Sequence, residues 1–342
     1  MPSALRNTLE QLIDRRDLSE AQAGELLEAL TDPEVAPALA GGLLAALRSK
    51  GVTADEVRGF AGAMRRLARR PKISPGEPLV DVVGTGGDGS GSLNLSTGTA
   101  LLAAACGLRV VKHGNRAISS RSGSADLLQA LGLKIPLDED EAGACLDATG
   151  FTFLFAPHYH PALKTLAPIR NALGVRTVFN MLGPLANPAE PAFHLIGAFD
   201  LGAAALLAQT LARMNIERAF VVHGEPGWDE PTPVGPFSLF DVRPGRVTHT
   251  MRDAGAFGLK NCAAAQLAGG HADHNAQALR AVFLGEDRGA HRDALLLGTA
   301  LVLELMGRVA EPKQGVAMAA EAIDSGHARE LLARLAGFGG RS

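Results

Sequence analysis

At 342 residues, with 46% hydrophobic and 20% charged side chains, the chain is long and apolar enough for one large domain plus a smaller one around a sizeable core. A net charge of −3 with dispersed Lys and Arg, and one Trp and one Tyr beside 13 Phe, offer neither a polyanion field nor base-stacking platforms, so nucleic acid is not an expected partner. Cys106, Cys145 and Cys262 lack C-x-x-C spacing, which argues against zinc or a disulfide framework and fits a reducing cytoplasm.

The opening MPSALRNTLEQLIDRRDLSE becomes charged too early for a signal-peptide core, and the longest apolar runs fall short of the roughly 18 to 20 residues that cross a bilayer, so no membrane association is expected. Apolar residues at three-to-four spacing over the first 70 residues predict four short helices. Ser19 with Gln22 and Thr53 with Glu56 fit capping boxes, and Asp32 followed by Pro33 fits an N-cap with proline in the first helical position. PKISPGEP, residues 71–78, then breaks the pattern and marks a boundary.

Beyond it, short apolar strands alternate with helical stretches: LVDVV, a helix from about Ser96, RVVKH, the helix SADLLQALG, FTFLFA, a helix around Lys164 to Leu173, HLIGAF, a helix ending LLAQTLARM, and AFVVHG. That alternation predicts a largely parallel sheet with helices on both faces. Pro244-Gly245, between two alternating segments, adds a hairpin and makes the sheet mixed, and Asn275 to Gly337 returns to helices. The expected fold is therefore α/β: a small N-terminal all-helical domain and a larger domain with a mostly parallel, mixed central sheet.

Four blocks carry chemistry. In GTGGDGSG, Gly84, Gly86, Gly87, Gly89 and Gly91 leave the main chain bare between a strand and a helix N-terminus, so backbone N–H groups can converge on a phosphate or diphosphate. The loop has no G-K-S/T and the wrong spacing for G-x-G-x-x-G; alone, it reads equally as a glycine-rich connection needed for tight turns. A second such unit places Lys112, Arg116 and Arg121 around Ser119, Ser120, Ser122 and Ser124. Singly, Lys112 reads as a solvated lysine and His113 as a core histidine, but two loops at the ends of parallel strands face one crevice and suit a ligand with more than one phosphate. In VVHGEPGWDEPTP, the adjacent Asp229 and Glu230 read as solvated charge or, beside a polyphosphate, as carboxylates that hold magnesium. In the fourth block, His158 and His160 lack a third metal ligand and sit between Pro157 and Pro161 in a shaped turn, while Arg170 is either a surface arginine or a fork for a substrate carboxylate.

Taken in order, GTGGDGSGSLNLST, KHGNRAISSRSGSADLLQALG, HPALKTLAPIRNALGVRTVFNMLGPLANP and HGEPGWDE resemble the anthranilate phosphoribosyltransferase family, of the structural class shared with the pyrimidine nucleoside phosphorylases. KHGNR sides against the phosphorylases, which carry a different lysine-histidine-serine block. The resemblance implies Mg2+-dependent transfer of a phosphoribosyl group from 5-phosphoribosyl 1-pyrophosphate (PRPP) to the amino group of anthranilate, a step of tryptophan biosynthesis, with no protein acid, base or nucleophile. It implies that residues 1–72, joined by part of 160–190, form a helical domain that closes on an α/β domain of 78–342 and carries a homodimer interface.

Carried over by position, the resemblance implies that Gly84, Gly86, Gly87, Asp88, Asn94, Ser96, Thr97, Lys112, Ser119, Ser120 and Ser124 bind PRPP. Gly84, His113, Asn115, His160, Arg170 and Pro184 would line the route of anthranilate, with Arg170 meeting its carboxylate, and Ser96, Asp229 and Glu230 would organise the metal. The chain departs from the family pattern at Pro231 and Thr232, at His274 in place of a glutamate, and at Gln129 in place of another. Pro231 and His274 are expected to act on the metal-side loops. Two other readings share the fold: transfer to a different aromatic acceptor, and a non-catalytic nucleic-acid-binding homologue.

Overall fold

The computed structural model describes residues 2–117 and 121–338. Four helices open it: α1 (Pro2–Ile13), α2 (Glu20–Leu30), α3 (Pro37–Lys50) and α4 (Ala54–Arg66). Both expected capping boxes form. Ser19 Oγ accepts from Gln22 N at 3.2 Å while Gln22 Oε1 accepts from Ser19 N at 2.9 Å, and Thr53 and Glu56 exchange the same pair of bonds at 3.3 and 2.8 Å. Glu56 also accepts from Leu18 N at 2.9 Å and from Lys50 at 3.0 Å, so one buried carboxylate ties the start of α4 to the entry of α2 and the end of α3.

Asp32 and Pro33 do not open a helix. Asp32 Oδ1 accepts from Glu34 N at 2.9 Å in a local turn, and the proline at the first helical position is Pro37. Pro37 follows Ala36, which supplies no side-chain cap, and Asp32 instead bonds its own neighbour two residues on.

The larger part alternates strand and helix: β1 (Leu79–Gly84), α5 (Leu95–Ala105), β2 (Arg109–Gly114), α6 (Ser124–Ala130), α7 (Glu139–Thr149) and β3 (Phe151–Phe155). An excursion follows through α8 (Ala156–Tyr159), a 3-10 turn at Pro161–Leu166, α9 (Ala167–Leu173) and α10 (Phe179–Leu182). Then come β4 (Phe193–Gly197), α11 (Leu201–Leu211), β5 (Arg218–Gly224), β6 (Phe237–Arg243) and β7 (Arg246–Arg252). The chain closes with α12 (Ala272–Phe283), α13 (Ala290–Leu305), α14 (Pro312–Asp324) and α15 (His327–Ala336).

Helix α7 is absent from the sequence expectations, although Asp138 caps it through Asp140 N and Glu141 N, and Ala142, Cys145, Leu146 and Thr149 form its buried face. The stretch around Lys164 divides into the 3-10 turn and α9, because Pro168 can sit only near a helix start.

The sheet has seven strands in the order β3-β2-β1-β4-β5-β6-β7. The first five in that order are parallel, while β6 and β7 run antiparallel and join through the turn at Pro244 and Gly245. Alternation along each strand divides the core in two. Val80, Val82, Leu195, Phe220 and Leu239 belong to the layer containing α5, α12 and α13, whereas Val83, Ile196, Ala219, Val221 and Phe240 face α11 and the N-terminal helices. Helix α9 packs beside α3, where Ile169 and Leu173 lie near Gly41. Strand order reverses between β1 and β4, and in an open parallel sheet that reversal leaves a crevice beyond the carboxyl ends of the strands.

Candidate active site

The crevice is framed by the loop after β1, the start of α5, the loop after β2 and the turn after β5. Backbone bonds bring Asp229 and Glu230 to it. Asp229 Oδ2 accepts from Gly86 N at 2.6 Å and Glu230 Oε1 accepts from Ser96 N at 2.9 Å, across 143 and 134 residues of sequence. Asp88 closes the circuit: its Oδ2 accepts from Asp229 N at 3.3 Å and its Oδ1 from Ser90 N at 3.1 Å.

The turn fits because the strand ends beneath it are bare. A Cβ on Gly197 would meet Asp229 O at 1.6 Å, and one on Gly84 would meet Asp229 Oδ2 at 2.3 Å, closer than any side chain tolerates.

Each carboxylate accepts from a backbone N–H, and the Asp229 carboxyl also meets that of Asp88. Burial, with Asp88 beside it, raises Asp229 to about 7, and burial next to Asp229 drives Glu230 well above the usual carboxylate range. Ser96 meets both Glu230 and Lys112, its backbone N–H donating to Glu230 and its Oγ accepting from Lys112 Nζ at 3.4 Å. Two crowded carboxylates and a hydroxyl are the hard oxygen donors that suit magnesium, with the remaining positions left to phosphate oxygens and water. No group of three or more His, Cys, Asp or Glu that would hold a metal unaided occurs among the described residues.

Lys112 is not the solvated lysine of the bland reading. It is buried, donates to Val82 O, and has its pKa lowered by burial against the opposing pull of Asp81, Glu230 and Asp229. Its ammonium group therefore lies beneath the loops, between Val82 O and Ser96 Oγ. Asn94 stitches three segments: its Nδ2 donates to Ser122 O at 2.9 Å and its Oδ1 accepts from Asn275 Nδ2 at 2.8 Å. Thr97 is buried in the first turn of α5. Ser124 Oγ donates to Asn115 O at 3.2 Å, and Asp126 accepts from Ala117 N, Gly123 N and Arg116, which ties the start of α6 to residues 115–117. Gln129 accepts from Arg116 at 2.8 Å, so the departure there keeps a partner for the arginine. Ser119 and Ser120 lie outside the described residues.

On the other face of β2, His113 Nδ1 donates to Gly183 O at 3.0 Å, next to the buried Pro184, and the His113 ring meets His160 edge-on at 5.1 Å. Burial, reinforced by the neighbouring His160, lowers His113 to about 3, and burial lowers His160 to about 4, so both rings are neutral. His113, His160 and Pro184 are thus brought together. Arg170 approaches from α9 and lies over the Phe179 ring at 4.8 Å; burial lowers its pKa, and its guanidinium has no hydrogen bond or ion pair among the described residues. No direct contact joins Arg170 to the donor loops among the described residues.

Sequence reasoning missed four residues here. Asp81 accepts from Asn187 Nδ2 at 2.8 Å and from His113 N at 3.3 Å; an acid inside the apolar run LVDVV was a visible signal. Asn275 and Arg176 gave no local signal, because their partners lie 181 and 89 residues away. His274 is exposed in the first turn of α12, and its ring packs beside Gly270, next to Gly269, whose N–H donates to Gly91 O at 2.8 Å.

Comparison with known proteins follows the same division of the chain. Residues 6–68 match the helical bundle domain of a glycosyl transferase family, and residues 76–329 match that family's a/b domain. An anthranilate phosphoribosyltransferase of Desulforudis audaxviator is 43% identical over 98% of this chain and 96% of its own length. The crystal structure of anthranilate phosphoribosyltransferase from Thermus thermophilus superposes with a TM-score of 0.90 at 42% identity, covering 97% of this chain and 98% of that one. The enzyme of that name from Saccharomyces cerevisiae, in complex with PRPP and Mg, gives 0.89 at 26% identity over 99% and 98% of the two chains.

Proposed function

The chain belongs to the glycosyl transferase family that joins a helical bundle to an a/b domain, and within it to the anthranilate phosphoribosyltransferases; from that membership and the geometry of the crevice we infer its reaction. It transfers the 5-phosphoribosyl group of PRPP to the amino nitrogen of anthranilate and releases diphosphate, a step in making tryptophan. The observation that carries this reading is the turn of Asp229 and Glu230, tied to Gly86 N and Ser96 N at the strand-order reversal.

As the ribosyl C1–O bond breaks, positive charge grows on the sugar and negative charge on the departing diphosphate. Backbone N–H groups of the loop after β1 and the N-terminus of α5 other than Gly86 N and Ser96 N, which the carboxylates hold, receive that negative charge, with Lys112 below. Asp229, Glu230 and Ser96 would hold magnesium, which would supply charge neutralisation at the diphosphate. We assign PRPP to Gly84, Gly86, Gly87, Asp88, Asn94, Ser96, Thr97, Lys112 and Ser124, and anthranilate to Gly84, His113, Asn115, His160, Arg170 and Pro184. Two neutral buried histidines suit an apolar aromatic ring, and the unpartnered guanidinium of Arg170 suits its carboxylate. An aromatic amine of low basicity loses its proton without a strong protein base, so holding the two substrates in line does the remaining work.

The packing of α9 against α3 supports a helical domain of residues 1–72 joined by part of 160–190, separate from an α/β domain of 78–342. A second copy of the chain is proposed to dock on that helical domain, where an apolar groove of about 840 Å³ lined by Val35, Pro37, Gly41 and Ile169 runs between α3 and α9. The experiment that tests the reaction mixes protein, PRPP, magnesium and anthranilate and follows the fall of anthranilate fluorescence, in competition with 4-aminobenzoate and 4-hydroxybenzoate. Preference for either para-substituted acid would move the assignment to another aromatic acceptor while leaving the donor site in place.

A further inference from the structure

The loop after β1 has a structural problem that its own residues do not solve. An anion cradle needs N–H groups held in one direction, yet Gly86 and Gly87 have φ of +71° and +75°, where glycine passes between conformations with little resistance. Asp229 fixes the peptide before Gly86 through Gly86 N. The peptide between Gly87 and Asp88 is fixed from the opposite side: Arg176 Nη2 donates to Gly87 O. In a planar trans peptide the N–H points opposite to the carbonyl, so holding the Gly87 carbonyl sets the direction of the Asp88 N–H.

Arg176 is itself held. Its guanidinium lies over the Phe199 ring at 4.1 Å, and Phe199 N donates to Thr85 Oγ1 at 3.0 Å, at the base of the same loop. Thr85 N in turn donates to Gly197 O at 2.9 Å. Thr85, Phe199, Arg176 and Gly87 thus form a closed circuit around Gly86, and the arginine belongs to the segment between α9 and α10, three residues beyond the helix that carries Arg170.

We propose that Arg176 is a positioning residue that presets the Gly87–Asp88 peptide for diphosphate, clamped in turn by Phe199. The proposal rests on the reading that this loop cradles the diphosphate of PRPP. It needs no contact between Arg176 and the ligand: the arginine acts through the peptide it orients.

Three substitutions in the full chain test it: Arg176→Ala, Arg176→Gln, which keeps an N–H donor without the charge, and Phe199→Leu, which removes the ring face. Two measurements are made, amide hydrogen exchange over residues 84–91 without ligand and steady-state kinetics with PRPP and anthranilate. Arg176→Ala should speed exchange across the loop and raise the KM for PRPP roughly tenfold, with a smaller effect on kcat and on the KM for anthranilate, the scale of losing one charge-assisted hydrogen bond. Phe199→Leu should shift both readouts in the same direction by a lesser amount, and Arg176→Gln, which is shorter and loses both the charge and the ring contact, should recover only a minor part of the loss. Exchange unchanged in Arg176→Ala would overturn the proposal, as would a KM for PRPP within twofold of the starting protein. A raised KM in Arg176→Gln with loop exchange unchanged would overturn it too, by placing the side chain's effect on the ligand rather than on the peptide. Because exchange is read without substrate, wild-type protein inactive on PRPP would sink the functional reading separately.

Discussion

On the donor side, Gly86 N and Ser96 N are fixed by carboxylates that arrive from the far side of β5, and Asp88 returns the favour to Asp229 N. On the acceptor side, His113, His160 and Pro184 sit in a buried layer with neutral rings, and Arg170 reaches in from α9 with only the Phe179 face beneath it. The first region is a web of charge-assisted bonds to the main chain, in which removal of one member leaves others buried without partners. The second, proposed for the acceptor, is shaped by packing, and the Arg170 guanidinium has no hydrogen bond or ion pair there among the described residues. Under the proposed assignment, the contrast teaches that the residues given to PRPP are tied to the sheet ends, whereas His160, Arg170 and Pro184, given to anthranilate, belong to the excursion between β3 and β4.

The comparison breaks first, and hardest, on the donor side. Asp229→Ala or Glu230→Ala should cut turnover by at least about a hundredfold, the scale of one strong electrostatic stabiliser at ~2.7 to 4 kcal/mol. A double variant that kept near wild-type rate at limiting magnesium would remove the carboxylates from the metal.

Arg170→Ala probes the other side. Anthranilate should outcompete acceptors lacking the carboxylate by roughly ten- to hundredfold in the wild-type protein, from a bond worth ~1.5 to 3 kcal/mol. The variant should lose most of that preference while its KM for PRPP stays close to that of the parent. A donor KM that rose as much as the acceptor KM would mean that the two regions are not separable.

What the sequence disclosed follows the same line. Helix caps, the βα alternation, the hairpin at Pro244 and Gly245 and the glycine loop are local features, and local spacing carries them. The joining of Asp229 to Gly86 and of Asn275 to Asn94 depends on strand order, which no spacing encodes. Lys112 misleads for a related reason: a lysine beside a glycine-rich loop reads as solvated, and only the burial of β2 between neighbours shows that it lies underneath. Asp32 and Pro33 show that even a local rule fails when two prolines compete for one helix start.

The buried histidine layer gives a smaller effect that can be read without substrate. Burial lowers His194 on β4 from the ordinary 6.5 to about 3. Between those values the unfolded chain holds a proton that the folded chain refuses, so this contribution is complete above pH 6.5 and drains away as pH falls toward 3. From pH 7 to 5 it amounts to about 2 kcal/mol for one such residue. Asp81, raised to about 6 by burial, acts in the opposite sense, because the folded chain keeps its proton below that pH. The informative quantity is therefore the difference between parent and His194→Leu in urea melts across this range: the variant should lose less stability on acidification, and parallel curves would show that the histidine is not held neutral.

The smallest effect sits where the chain departs from its family. His274 is exposed at the third position of α12, whose N-cap is His271, and it takes no part in the bonds by which neighbouring Asn275 holds Gly270 N and Asn94. A glutamate there would face the positive end of the helix, which is worth about 0.3 to 1 kcal/mol at low ionic strength. His274→Glu should accordingly raise the melting temperature slightly, an increment that salt suppresses, with activity and magnesium requirement within about twofold of the parent. The magnesium titration decides whether the start of α12 is electrically remote from the carboxylates. A shift of the half-saturating magnesium concentration well beyond that range would mean that charge at residue 274 reaches Glu230 through Asn275 and Asn94, and the donor web would then extend one helix further than its hydrogen bonds do.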